Sequence, residues 1–197
     1  MPRPKAYERD AVVIAARDLF WERGYEACSI SDLEQRTGLN RSSLYQEFGS
    51  KHQLLEQTLD CYADQIIAPL LGELSAPGSG LERIASLFMR LAHLFRSRTR
   101  TAKSGCLLVN SIAELASSDD RVRAAGVAYR DRLRSGFATA LENACQLGEI
   151  DAESAQARGD LLAAALMGVW LSVRIDPGDA SRLCETIAAQ VESWRRS

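Results

Sequence analysis

Apolar residues recur at three- and four-residue intervals along most of the chain, and the two-residue alternation of strands is scarce. The pattern predicts an all-α protein. Over residues 7–23, Val12, Ala15, Ala16, Leu19 and Phe20 form one buried stripe, and Gly24 ends the helix. A helix from residue 51 carries Leu54, Leu55, Leu59, Tyr62 and Ile66 and is expected to kink or end at Pro69, which lacks a donor. Residues 75–80, SAPGSG, read as a loop. A helix over 81–98 follows, then a basic, polar connector over 96–103, expected to be a solvated loop. Further helices are predicted from residue 104 or 105 to 115, over 119–147, over 154–174 and over 179–194, with Asp176-Pro177-Gly178-Asp179 as a turn.

Residues 29–51, SISDLEQRTGLNRSSLYQEFGSK, break this pattern into smaller pieces. Ser29 and Asp32 have the spacing of a capping box, Gly38 suits a helix end, and Asn40 suits the N-cap of a second short helix over 41–48. Two helices joined by a three-residue turn have the spacing of a helix-turn-helix. On the second helix Leu44 and Phe48 point inward, while Ser42 and Gln46 point outward with Ser43 and Tyr45 on the flanks. Hydroxyls, an amide and a phenol on one face can bond phosphates and base edges. Lys51, beside a helix N-terminus, makes a phosphate seat.

The run Gly38-Leu39-Asn40-Arg41-Ser42-Ser43-Leu44-Tyr45-Gln46-Glu47-Phe48-Gly49-Ser50-Lys51, with Gly24-Tyr25 before it and Leu54-Leu55 after it, resembles the DNA-binding signature of TetR-family transcriptional regulators. The resemblance covers about the first quarter of the chain closely. It implies an N-terminal three-helix DNA-binding domain, expected over residues 1–52, and a C-terminal helical ligand-binding and dimerisation domain over 53–197. The implied partners are a palindromic operator DNA, a second copy of the chain and an unknown small-molecule effector.

Composition bears on this in three ways. The net charge is −2, and residues 1–52 carry as many acids as bases, so bulk charge does not announce nucleic-acid binding. Placement must carry it: Arg3 and Lys5 on an N-terminal arm, Arg41 and Lys51 beside the second short helix. No run is long and apolar enough to span a membrane, and the N-terminus lacks the apolar centre of a signal peptide, so a cytoplasmic protein is expected. Five scattered cysteines and two isolated histidines suggest neither a disulfide framework nor a metal site, and no cofactor is expected. No catalytic constellation stands out, so an enzyme is not expected. A helical adaptor that binds only protein is the alternative class, and it leaves the polar helix face unexplained.

Two further sites are expected. Cys106 should sit in the first turn of its helix, where the dipole and Lys103 favour a thiolate. The segment Gly105-Cys106-Leu107-Leu108-Val109-Asn110 resembles a TetR branch whose repressors sense electrophiles and oxidants through a cysteine at this place; the alternative is a plain core cysteine. The resemblance also suggests an effector pocket among Phe88, Leu91, Phe95, Cys106, Asn110, Tyr129, Phe137, Met167 and Trp170, with Arg174 as a lesser anchor. Finally, Leu161, Ala165 and Gly168 on one helix, and Leu183, Ile187, Val191 and Trp194 on the next, form apolar stripes that suit an intermolecular four-helix bundle.

Overall fold

The computed structural model describes residues 7–78, 80–97, 99–152 and 155–196. The basic arm at residues 1–6, Arg98, and the helix start expected at Ser154 lie outside the described residues. The described chain is helical, without strands. The helices are α1 (Arg9–Arg23), α2 (Ile30–Thr37), α3 (Arg41–Phe48), α4 (Lys51–Tyr62), α5 (Ala68–Gly72), α6 (Leu81–Arg96), α7 (Arg100–Ser104), α8 (Leu107–Leu115), α9 (Asp120–Gln146), α10 (Ala155–Ile175) and α11 (Pro177–Glu192).

Helices α1 to α3 form the head. Val12, Ala16, Leu19 and Phe20 of α1 pack with Leu33, Leu44, Phe48 and Cys28, all buried, and the same core continues through α4 into the body. In the body α11 lies along α6, α10 packs on α9 and α11, and α8 packs on α9. Burying a Leu or Phe side chain contributes about 1.5–3 kcal/mol, so the stripes predicted from periodicity are what hold these layers together.

The breaks in the pattern are where the structure departs from expectation. Of the two outcomes expected at Pro69, a kink or an end, the end does not occur. The chain passes through a π-helical turn, Ala63–Ile67, and continues as α5, with the proline in the first turn of that segment. The wider π turn relieves the clash between the ring and the preceding turn, so the helix survives. The basic connector is not all loop: Thr99 caps a short helix, its hydroxyl accepting from the Ala102 N–H at 3.2 Å, and Ala102 is buried. Asp176 is an N-cap rather than part of a free turn, its carboxylate accepting from the Gly178 N–H, and Pro177 takes the first helical position, where no donor is needed.

Candidate nucleic-acid interface and cavity

Local chemistry builds the helix-turn-helix as the residues predict. The Ser29 hydroxyl accepts from the Asp32 N–H at 3.1 Å, and the Asp32 carboxylate accepts from the Ser29 N–H at 2.9 Å. Gly38 closes α2 at φ 74°, a left-handed conformation that a side chain would strain. Asn40 caps α3 by accepting from the Ser43 N–H at 2.9 Å, and Ser50 caps α4 by accepting from the Gln53 N–H at 3.0 Å. The Ser29 hydroxyl and N–H, with the Arg23 guanidinium, hold the Asp32 carboxyl down at about 2. A depressed carboxyl stabilises the fold above its unfolded pKa, and that stabilisation is lost as pH falls through the folded value. Asp32→Asn should therefore be less stable than the parent at pH 6, and the gap should close between about pH 4 and 2. Urea melts across that range check this, and a gap that stays constant refutes it.

Leu44 and Phe48 fix α3 to the core, and Arg41, Ser42, Tyr45 and Gln46 are exposed on its outer side, with Ser43 half-buried at the edge. The charge balance of the head resolves into pairs. Arg17 bonds Asp18 (2.7 Å), Arg23 bonds Asp32 (2.6 Å), Arg36 bonds Glu22 (2.9 Å) and Arg9 bonds Glu47 (3.2 Å). Glu47 is turned back to α1, where the Tyr7 hydroxyl also donates to it at 2.8 Å. Among the described residues of the head, Arg41 and Lys51 form no such ion pair. The Arg41 guanidinium lies over the Tyr45 ring at 5.6 Å, and the Lys51 ammonium lies over the Tyr25 ring at 4.1 Å. Two cations outside these pairs thus stand at the two ends of α3, the first with the Glu34 carboxylate close by, accepting from the Arg41 N–H.

Three ties join the head to the α7–α8 turn, α8 and the start of α9. The Glu114 carboxylate of α8 accepts from the backbone N–H groups of Tyr25 (3.0 Å) and Glu26 (2.8 Å). His52, in the first turn of α4, bonds Asp119, whose other oxygen caps α9 at Arg121 and Val122. The Trp21 indole N–H donates to the Gly105 carbonyl at 3.0 Å. Glu114→Ala should leave the helices intact and raise amide hydrogen exchange at Tyr25 and Glu26 by roughly tenfold, the scale expected for losing hydrogen bonds to a charged acceptor; unchanged exchange there would show the joint is idle.

A cavity of about 460 Å³ lies beside this third tie. Of the expected pocket residues only Leu91 and Trp170 line it. Phe88 and Phe137 stack on each other at 6.1 Å, and Phe95 meets Trp170 edge-on at 5.5 Å, so these rings fill the space they were expected to enclose. Met167 is half-buried against the core, Asn110 is buried with its amide donating to the Ser104 carbonyl at 2.8 Å, and Arg174 is exposed. The lining that periodicity missed comes from the head and the connecting helix: Arg17, Asp18, Trp21 and Glu22 of α1, Tyr62, Ile66, Ile67 and Leu70, with Leu94, Ser104 and Gly105. One signal was available, since Trp21 and Leu94 are large apolar residues lying off the main stripes of their helices.

Cys106 is also corrected. It is the N-cap of α8 rather than a first-turn residue, because α7 and Gly105 intervene, and it is fully buried. Its thiol lies 3.9 Å from the Tyr129 hydroxyl. Burial pushes the thiol up, against the pull of the Val109 and Leu108 N–H groups and of the Tyr62 and Tyr129 hydroxyls. Burial likewise pushes Cys184 up to about 12.

The apolar stripe of α10 is exposed at Leu161, Gly168, Leu171 and Ile175, with Ala165 half-buried. Leu183, Ile187 and Trp194 are half-buried. Val191 is fully buried in the chain's own core, on the intrachain side of α11, and is not available to a partner.

A capped helix-turn-helix with a polar outer face, set on an all-helical body, is the architecture of a class of bacterial transcription regulators. Residues 13–58 match the bacterial regulatory proteins of the tetR family, and residues 80–180 match the tetracyclin repressor-like C-terminal domain. The chain belongs to the TetR family. It is 37% identical over 114 residues to the HTH-type transcriptional repressor ComR of Escherichia coli, a match covering 57% of this chain and 53% of that one, or about half the relative's length. It is 29% identical over 153 residues to the HTH-type regulator YezE of Bacillus subtilis, covering 78% of each. Among solved structures it is similar to a cysteine-substituted variant of the TetR-family regulator CifR in complex with a 26-base-pair operator DNA, at 26% identity and TM-score 0.75, covering 98% of this chain and 100% of that one. No helix among the described residues is long and apolar enough to cross a membrane.

Proposed function

We propose that the protein is a cytoplasmic homodimeric repressor that binds a palindromic operator and is released from it by a small-molecule effector. The supporting observation is the outer face of α3: it is polar, held by the buried Leu44 and Phe48, and flanked by Arg41 and Lys51, whose side chains lie over the Tyr45 and Tyr25 rings. Arg41, Ser42 and Gln46 are assigned to base edges, and Ser43, Tyr45 and Lys51 to phosphates. Residues 1–52 act as the reading head and residues 53–197 as the regulatory and dimerising body. The two heads reach successive major grooves when the dimer spaces them by one helical turn of DNA. An effector acts only if it favours the body conformation whose heads are wrongly spaced. Retardation of the DNA flanking the protein's own gene in a gel tests the reading, and no retardation of any such fragment at low salt would sink it.

The second reading, an electrophile sensor of the cysteine-motif branch, rests on the Gly105–Asn110 segment and on the N–H and hydroxyl groups converging on the Cys106 sulfur. Full burial and a raised pKa disfavour it in the resting state. Cys106→Ser decides: if an electrophile still releases that variant from DNA, Cys106 is not the sensor.

A further inference from the structure

The cavity beside Trp21 has walls from both the head and the body. Three aromatic rings line it: Trp21 of α1, Tyr62 of α4 and Trp170 of α10. Trp21 and Tyr62 meet edge-on at 5.0 Å. The π-helical turn contributes Ile66 and Ile67 to the wall. The charged side chains on the wall are already matched. Arg17, itself buried, bonds Asp18 at 2.7 Å and Gln65 at 2.9 Å, and Glu22 bonds Arg36 at 2.9 Å. An ionic ligand would have to break one of these pairs or be desolvated without a counter-charge, and either is costly. A neutral apolar ligand faces neither cost.

The side of the cavity formed by the α7–α8 turn is backed closely by α10. Gly105, at φ 71°, is pressed against α10 so closely that an added Cβ would sit 2.9 Å from the Trp170 carbonyl oxygen. The opposite side is α1, tied to that turn through the Trp21 indole N–H. A molecule that fills the space meets Trp21 on the head side and a turn backed by α10 on the other.

We propose that the cavity between α1 and the body binds a neutral, mostly apolar molecule of about two or three aromatic rings, and that this ligand weakens operator binding by moving Trp21 and the head directly. The proposal rests on the regulator reading above and specifies where and with what chemistry the effector acts.

The probe is N-phenyl-1-naphthylamine, which is neutral and fluoresces in apolar sites. Its counterpart, 8-anilinonaphthalene-1-sulfonate, has the same rings and an added anion. The neutral probe should bind the full-length protein at least tenfold more tightly than the sulfonate; equal or tighter binding of the sulfonate overturns the ligand class. Ile66→Glu and Leu94→Glu each place a charge at the half-exposed mouth of the cavity, 38% and 39% exposed in the parent, where folding is least at risk. Either should weaken the neutral probe at least tenfold, and unchanged affinity in a folded variant overturns the site. Saturating neutral probe should lower operator affinity at least fivefold, and operator should lower probe affinity by the same factor, as linkage requires. In Trp21→Phe, which keeps an aromatic wall but loses the bond to Gly105, that factor should fall towards one. Operator binding that is unchanged or tightened by the probe, or an undiminished factor in Trp21→Phe, overturns the coupling. Operator binding is first measured without probe: its absence strikes the regulator reading, whereas the probe affinities test the cavity whatever the DNA result.

Discussion

Tyr45→Ala is expected to reduce operator affinity by roughly thirtyfold while leaving the melting temperature unchanged. The ring is 38% exposed on the outer face of α3, whereas the core contacts of that helix belong to Leu44 and Phe48. Truncation removes a hydroxyl placed to bond phosphate and the ring on which the Arg41 guanidinium rests at 5.6 Å. A loss of about 1 kcal/mol per half-site, at the low end for a directional contact to DNA, is doubled by two heads, and about 1.4 kcal/mol corresponds to tenfold. Exposed substitutions away from structural features change stability by less than about 0.5 kcal/mol, so thermal melting separates a contact effect from unfolding. Binding that is unaffected by the substitution would remove this face from the interface. A salt titration sharpens the assignment: Lys51→Ala should flatten the dependence of log affinity on log salt by about one phosphate's worth per head, and Tyr45→Ala should leave that slope alone.

The head was legible because its signals are local. Ser29 and Asp32, Asn40, Ser50 and Gly38 each act on backbone groups within a few residues, so spacing alone suffices to place them. What spacing cannot show is which side chains on different helices meet. The neutral charge of the head is answered only by placement: Glu47 is bonded to Arg9 and Tyr7, and Glu22 to Arg36, while Arg41 and Lys51 stand at the ends of α3 outside these pairs, with Glu34 held on the Arg41 N–H. The lining of this cavity was hidden for the same reason. Periodicity places Phe88 and Phe137 inside the body correctly, but it cannot say that they stack on one another and that the open space lies instead against Trp21. At Cys106 one unforeseen element, α7, moved the residue from the first turn to the cap and into full burial, which reverses the direction of its expected pKa shift. At Pro69 a breaker rule gave way to a π turn that happens to form part of the cavity wall. Residues whose environment is set by distant helices were thus the ones misplaced.

The largest loss of function should come from far outside the head. Leu161→Glu combined with Leu171→Glu is expected to convert the proposed dimer to a monomer and to lower operator affinity by about 10²–10⁴-fold, the gain that linking two binding modules normally gives. In the isolated chain Leu161 is 59% exposed, Leu171 45% and Ile175 87%, and an added Cβ on Gly168 would meet nothing within 4 Å. This stripe, one face of α10, does no work in the chain's own core, so charging it should leave the monomer folded. In a two-fold interface each substitution appears twice and opposes its own copy, and four carboxylates placed in an apolar contact have no counter-charge to offset their desolvation. Light scattering should give about 21.7 kDa for the double variant and twice that for the parent. A dimeric mass retained by the folded variant would mean that the copies associate through another face, and the exposed leucines of α10 would then need a different partner. If the variant is monomeric but still binds the operator with parental affinity, the heads do not depend on each other, and the explanation of how a nearly neutral head holds DNA would have to be sought within α1 to α4 alone.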